Sequence, residues 1–332
     1  MSSLNKWFTG ALICAVAGYL FFSSSTWRVH GVVHDEGMSG GTVVPAVSSS
    51  QVRVVPALPS STAVQSRSSP STTQPQTPGG IGLASELLKA GNLRVFAESA
   101  KRQPQSGGYF YASMAARSCN QTAGLWRSNG RAASRTDADQ RASEAMEALR
   151  RLCSDFTVPE LQAAYLELHQ QGLMADDPLI RLADKWAAVR AKGDAPESSL
   201  VSQMLDTQDP VWLSSQSPGL MAVFSNAADG RRVPQGYFAG QWFDGDAQRM
   251  LEAAWVLLPC VAGLDCGPGN YQVVVSCAGG AGCAANLADV ISAQYFGGDA
   301  KQTAASQALS KRLWAAVQAR DATAFVPPPP KP

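Results

Sequence analysis

The sequence predicts an all-α domain of stacked helical hairpins, and three observations predict it. Helix-start signals recur at Asn92, at Thr157 with Glu160, at Asp177-Pro178, Asp209-Pro210 and Ser217-Pro218, and at Asp246. Apolar residues follow several of these at helical spacing, as in Leu179, Leu182, Trp186 and Val189. The one strand-like run, Tyr271 to Ser276 with three consecutive valines, has no partner run, so it reads as a buried β-branched helix or an extended piece pinned by Cys277.

The elements can be justified in order. Residues 1–30 begin with a short polar start carrying one cation, Lys6, then a largely apolar run over residues 7–22, then Ser23-Ser24-Ser25, with Arg28 on the far flank, the outline of an export signal. Sixteen residues at helical rise reach about 24 Å, a little short of a ~30 Å hydrocarbon core. An uncleaved signal anchor is favoured over a cleaved peptide, because Ala15-Val16-Ala17 is badly placed for a peptidase and Ile13 is too large before a lipidated Cys14. Residues 31–82 form a Ser-, Pro- and Thr-rich linker: no Phe, Trp or Tyr occurs between Arg28 and Val95, so too little apolar surface is available to offset the ordering entropy.

A helical domain is expected over 83–322. Gly91-Asn92 separates two helical pieces, with Leu93, Phe96 and Ala100 on one face of the second. Tyr109 to Cys119 and Asp137 to Cys153 read as the next helices, so Cys119 and Cys153 end two consecutive elements, and pairing them would stabilise by about 4 kcal/mol in the chain-entropy model. Asp246 should cap a helix through Trp255 and Leu258 that Pro259 ends or kinks, and Ala284 to Phe296 and Asp299 to Arg320 complete the set. Residues 323–332 are a Pro-rich, exposed tail rather than a recognition ligand.

Composition restricts the chemistry. With 27 Lys plus Arg against 26 Asp plus Glu in 332 residues, the chain offers no field for nucleic acid, and none is expected as a partner. Only His30, His34 and His169 occur, and the first two precede the domain. His169 reads as a charge or hydrogen bond at a helix C-terminus. No G-x-S-x-G, H-E-x-x-H or P-loop pattern is present, and no cofactor is expected.

The cysteines are the sharper signal. Cys119, Cys153, Cys260, Cys266, Cys277 and Cys283 are an even set behind an export signal, which favours disulfides. A four-thiolate zinc site at the last four would need tighter spacing than C-x5-C, and the C-x-x-C of exchange enzymes is lacking. Spacing leaves three pairings open for those four; Cys260 with Cys277 and Cys266 with Cys283 is preferred, folded about Gly267-Pro268-Gly269. Of the acidic residues, Asp177 and Asp246 are assigned as caps, Asp176 as a flank and Asp184 as a solvated face, while Asp244 carries no assignment. Asp265 is left to cap the helix after Cys266. Trp186, Trp212, Trp242, Trp255 and Trp314 read as core rather than as a stacking surface.

The stretches L-K-A-G-N-L-R-V-F-A-E-S-A-K-R, G-G-Y-F-Y-A near Cys119, and A-A-W-V-L-L-P-C-V-A-G-L-D-C-G resemble uncharacterised exported α-helical proteins of proteobacteria, over about residues 83–320. Pro259 before Cys260 departs from that pattern. The resemblance implies a helical fold and an extracytoplasmic compartment, and no activity. Together these expectations describe a single-pass protein of the bacterial inner membrane, or a soluble periplasmic one after cleavage. It would be a non-enzymatic binder or scaffold for an envelope protein or cell-wall partner, arranged like Sel1 or TPR hairpins. The competing expectation is a hydrolase acting on an envelope polymer through a carboxylate pair; a mixed groove would favour binding, two converging carboxylates in an acidic cleft would favour the enzyme.

Overall fold

The computed structural model describes residues 80–128, 137–192, 196–220, 223–226 and 232–328. The apolar run at 7–22 and most of the linker lie outside them. Thirteen α-helices and one small antiparallel sheet make up the described residues: α1 (Gly80–Lys89), α2 (Leu93–Ala100), α3 (Gly108–Ser128), α4 (Asp137–Leu152), α5 (Val158–Met174), α6 (Pro178–Lys192), α7 (Ser198–Asp206), α8 (Pro210–Leu220), β1 (Val223–Asn226), β2 (Arg232–Phe238), β3 (Gln241–Phe243), α9 (Gly245–Val256), α10 (Leu258–Val261), α11 (Tyr271–Ala278), α12 (Leu287–Phe296) and α13 (Ala300–Gln318).

Local signals set most helix starts. Asn92 accepts the Arg94 and Val95 N–H groups at 2.9 and 3.1 Å and starts α2, which buries Leu93, Phe96, Ala97 and Ala100. Thr157 and Glu160 form a reciprocal capping box on α5. Asp176, in the left-handed region at φ 59°, ends that helix, with Asp177 N–H returning to Gly172 O at 2.9 Å. The next helix starts at once from Asp177.

That aspartate does more than the cap expected of it. One carboxylate oxygen accepts Leu179 and Ile180 N–H at the start of α6, at 2.9 and 3.1 Å. The other accepts Tyr109 and Phe110 N–H at the start of α3, at 2.8 and 3.2 Å. One fully buried side chain therefore caps two helices distant in sequence. Around it α3 packs on α5, and the fit leaves no room at Gly172, where a Cβ would come within 2.2 Å of Ile180 Cδ1, or at Gly108, where it would meet the Ala100 carbonyl at 1.9 Å.

Several expectations are corrected. α3 does not end at Cys119 but runs to Ser128, because no breaker follows and its last turns are held by Tyr271, whose hydroxyl bonds Thr122 Oγ1 at 2.8 Å and the Ser118 carbonyl. The valine run at 271–276, by contrast, takes the helical one of its two expected forms: Asn270 caps α11 by accepting Gln272 N–H at 3.0 Å, and the helix packs on α4. Asp265 does not cap it; its carboxylate accepts Gly267 N–H within the preceding loop. Asp246 lies inside the first turn of α9, paired with Arg249, while the extended Asp244 holds the N-cap position without a side-chain bond. Ser217-Pro218 starts nothing; it falls in the last turn of α8, where one lost ladder bond matters little.

The sheet was not anticipated. β1, β2 and β3 pair antiparallel in chain order, and the β2–β3 turn places both Ala239 and Gly240 at positive φ, 50° and 83°. Such a turn usually advertises itself as Asn-Gly or Asp-Gly. Here Ala239 N–H is held instead by the Ala324 carbonyl at 2.7 Å, and Phe238 packs on Phe325. Ala324 and Phe325 are buried, so the core reaches past residue 322 into the segment expected to be tail.

Three disulfides staple the fold. Cys119–Cys153 joins the middle of α3 to the end of α4 across 34 residues of sequence. The other two pair neighbours, Cys260 with Cys266 and Cys277 with Cys283, which overturns the preferred pairing. The reason is local. After α10 the chain turns back at Gly263, φ 91°, with Leu264 N–H bonded to Pro259 O and Gly263 N–H to Cys260 O. After α11 it does the same at Gly280, φ 78°, with Ala281 bonded to Ser276 O and Gly280 to Cys277 O. Each is a Schellman helix end. The αL glycine brings the cysteine three residues beyond it back onto the cysteine three residues before it.

Three predictions follow from this packing. Replacing Asp177 by Ala removes two caps at once and should lower unfolding stability by about 2–4 kcal/mol, whereas Asp184→Ala on the surface should stay within about 1 kcal/mol; urea denaturation of both variants measures the contrast. Removing Cys119–Cys153 with a double Ala substitution should cost about 4 kcal/mol and removing Cys260–Cys266 only about 2 kcal/mol. In non-reducing peptide maps Gly263→Val should raise the free-thiol fraction at Cys260 and Cys266 and leave Cys119–Cys153 intact.

Candidate functional site

Among the described residues, each one singled out in the sequence has a place; His30 and His34 lie outside them. All six cysteines from Cys119 to Cys283 are consumed in disulfides, so the zinc alternative at the last four is replaced by two cystines. Among the described residues no group of three or more His, Cys, Asp or Glu side chains gathers in a metal-holding arrangement. Also among the described residues, no helix is long and apolar enough to cross a membrane.

The carboxylates are dispersed rather than convergent. Asp177 is spent on two helix ends, Asp176 pairs with Arg181, and Asp265 holds a loop. His169 does not serve a helix end; its Nε2 meets the Asp184 carboxylate at 3.0 Å, bridging α5 and α6. Trp186, Trp212 and Trp255 are buried and Trp314 packs against the core, while Trp242 on β3 stands half exposed beside the Tyr237 ring.

A second buried carboxylate, one the sequence marked only as a helix start, organises the region of interest. Asp209 accepts Val211 and Trp212 N–H at 3.1 and 2.9 Å, and the Tyr111 hydroxyl donates to it at 2.7 Å. Trp212 Nε1 donates to the Leu179 carbonyl at 3.1 Å. These contacts join α3, α6 and α8. Burial is the first cause of shift for all three groups, pushing the Asp209 and Asp177 carboxyls up and the Tyr111 phenol well up.

Above this network lies a groove of about 490 Å³ between α6 and α7. Pro178, Leu179 and Leu182 form its carbon floor; Arg181 and Lys185, one helical turn apart, line one wall, and Gln203 and Asp206 the other. Gln105 and Ser106, from the 3₁₀ turn Pro104–Ser106, also line it. Asp206 is paired with Arg320 at 3.4 Å, and Lys185 Nζ reaches the Gln203 amide oxygen at 3.4 Å. Asp209 also borders the groove, but its oxygens are bonded inward. No sequence signal marked the groove, because its residues come from three segments that only the Asp177 and Asp209 caps bring together. The helical spacing of Pro178, Arg181 and Lys185 was the one available clue.

The chain matches no known protein family, no curated protein and no solved structure.

The acid response of the fold has an identifiable source. The Glu160 carboxyl is held down from 4.5 to about 2, first by the Thr157 backbone N–H, then by the Arg94 guanidinium and the Thr157 hydroxyl. A depressed native value means stability that is present above pH 4.5 and lost as pH falls toward 2. The raised values of Asp177 and Asp209 act with the opposite sign: their contribution is present at low pH and is lost as pH rises through them. Glu160→Gln should therefore lose less thermal stability than the parent between about pH 5 and about pH 2.5, a difference that calorimetric melts across that range would register.

Proposed function

We propose that this chain is a non-enzymatic envelope protein, tethered to the bacterial inner membrane by residues 7–22, that presents a groove on a disulfide-stapled helical surface to a partner in the envelope. Kinship with uncharacterised exported helical proteins, and a hairpin stack in the manner of Sel1 or TPR proteins, belong to the same proposal. The observation that carries it is the character of the α6–α7 groove. It combines an apolar floor with cations, amides and a paired carboxylate, as recognition sites do. A hydrolase would need two carboxylates facing a common substrate. The two that border the groove, Asp206 and Asp209, differ in this respect: one is paired with Arg320 and the other is bonded to two backbone N–H groups and a phenol. Three disulfides support an oxidising compartment for the domain.

Photo-cross-linking in living cells tests this. A photoreactive side chain at Gln203, exposed on the groove wall, should give a reproducible adduct identifiable by mass spectrometry. The same group at Glu144, exposed on α4, should not. Adducts absent from Gln203, or equally abundant from both positions, would remove the groove as a recognition site.

A further inference from the structure

We propose that Cys277–Cys283 is a thiol-exchange site, a redox latch on the α11–α12 connection that an external dithiol opens while the rest of the fold stays closed. The three disulfides differ in what holds their surroundings. Cys119 and Cys153 are buried in the core, at 0% and 1% exposure. Cys260 and Cys266 pack on the apolar cluster of Leu257, Val273, Leu287 and Val290. Hydrogen bonds hold their loop as well: Gly267 N–H donates to the Asp265 carboxylate, the Asn270 amide to the Asp265 carbonyl, and Leu287 N–H to the Cys266 carbonyl at 2.9 Å. The third bond lacks both supports. Among the described residues Cys283 joins no apolar cluster, and residues 282–285 make no hydrogen bond. From the Ala281 N–H on the Ser276 carbonyl to the Asn286 cap of α12, the chain is held by the Cys283 sulfur and by Ala284 against the neighbouring cluster.

Access to this bond is one-sided. Residues 278–285 are Ala, Gly and Cys283 alone, so the loop has no side chain able to screen the sulfur, and none of residues 271–288 carries a charge that would repel a thiolate. Cys277 is buried, at 8% exposure, while Cys283 is half-buried, so the incoming thiolate attacks Cys283 Sγ. The S–S bond breaks and Cys277 leaves as a thiolate that takes up a proton. Its S–H then has an acceptor in the Arg141 carbonyl oxygen, 3.5 Å from Sγ. The second thiolate of the dithiol attacks the dithiol sulfur of the mixed disulfide and releases Cys283, which is protonated in turn. Two electrons and two protons pass to the cystine, and the dithiol is oxidised to its own disulfide. α11 keeps its place after opening, because Asn270 still caps it, Tyr271 still bonds Ser118 and Thr122 of α3, and Val273 and Ala278 stay buried. What is released is the loop of residues 279–285.

The test treats the full-length oxidised chain with dithiothreitol at neutral pH, traps freed thiols with iodoacetamide and maps the peptides by mass spectrometry. Cys277 and Cys283 should label together, about tenfold faster than Cys260 and Cys266, with Cys119–Cys153 intact. After that selective reduction, elastase, which cuts after small residues, should cleave within residues 279–285, where the oxidised chain resists, while the far-UV circular dichroism stays unchanged. Oxidised glutathione tests the direction of attack: Cys277→Ser should take glutathione on Cys283, whereas Cys283→Ser should leave Cys277 unmodified. Opening of Cys260–Cys266 first or at the same rate, opening of Cys277–Cys283 only together with Cys119–Cys153, resistance to elastase after reduction, or equal glutathionylation of the two variants would overturn the assignment. The α6–α7 groove enters none of these measurements, so recognition there stands or falls separately.

Discussion

The fold depends on a single buried carboxylate that ends two helices at once. Helix N-termini present unsatisfied N–H groups, and two such ends approaching inside a protein would leave several donors without water. Asp177 resolves this for α3 and α6 together, with two N–H groups on each oxygen. The charge is costly to bury, which is why its carboxyl is pushed up, but the positive ends of two helix dipoles converge on it. The angle between α3 and α6 is thereby fixed by hydrogen-bond geometry as well as by side-chain packing. Gly107 and Gly108 follow from the same constraint: the chain must enter α3 close to Leu179 and to the Ala100 carbonyl, and any side chain there would displace the cap.

Asp209 repeats the device one helix further on, with a phenol in place of the second helix end. Tyr111 comes from α3, immediately after the two donors to Asp177, so both buried carboxylates read the position of the same helix. Trp212 then returns a hydrogen bond to Leu179, the residue whose own N–H is held by Asp177. The polar groups at this centre thus form a connected set in which displacing one member leaves another unsatisfied, the arrangement expected to select one packing over near alternatives.

How much of this was legible in the sequence varied with the range of the interaction. Signals that act within one turn were readable: Asn92, the Thr157–Glu160 box and the Asp-Pro pairs start helices where the spacing said they would. Bonds reaching across the chain were not, and the second half of Asp177's role, on Tyr109 and Phe110, leaves no trace in local spacing. The hairpin at Ala239-Gly240 was hidden for a similar reason, since its left-handed alanine is held by the distant Ala324 carbonyl rather than by turn chemistry of its own. The short disulfides were legible in principle. Cys260-x-x-Gly263-x-x-Cys266 and Cys277-x-x-Gly280-x-x-Cys283 share one pattern, a glycine midway between two cysteines at a helix end. The αL requirement at that glycine decides the pairing in favour of neighbours, where attention to the Gly267-Pro268-Gly269 turn favoured crossed bonds.

The groove is a by-product of where the negative charge went. Around the start of α6 the sequence supplies Asp176, Asp177, Asp206 and Asp209 against Arg181 and Lys185, an acidic excess if all were exposed. Folding withdraws two of the four: Asp177 and Asp209 are buried against helix ends. The two that remain outside are matched by Arg181 and by Arg320, which approaches from beyond the end of α13. Lys185 meets the Gln203 amide oxygen at 3.4 Å. Burying carboxylates to hold the helices together thus turns a segment that is acidic on paper into a surface where Asp176 and Asp206 each meet an arginine, above Leu179 and Leu182, buried residues at the start of the helix that Asp177 caps.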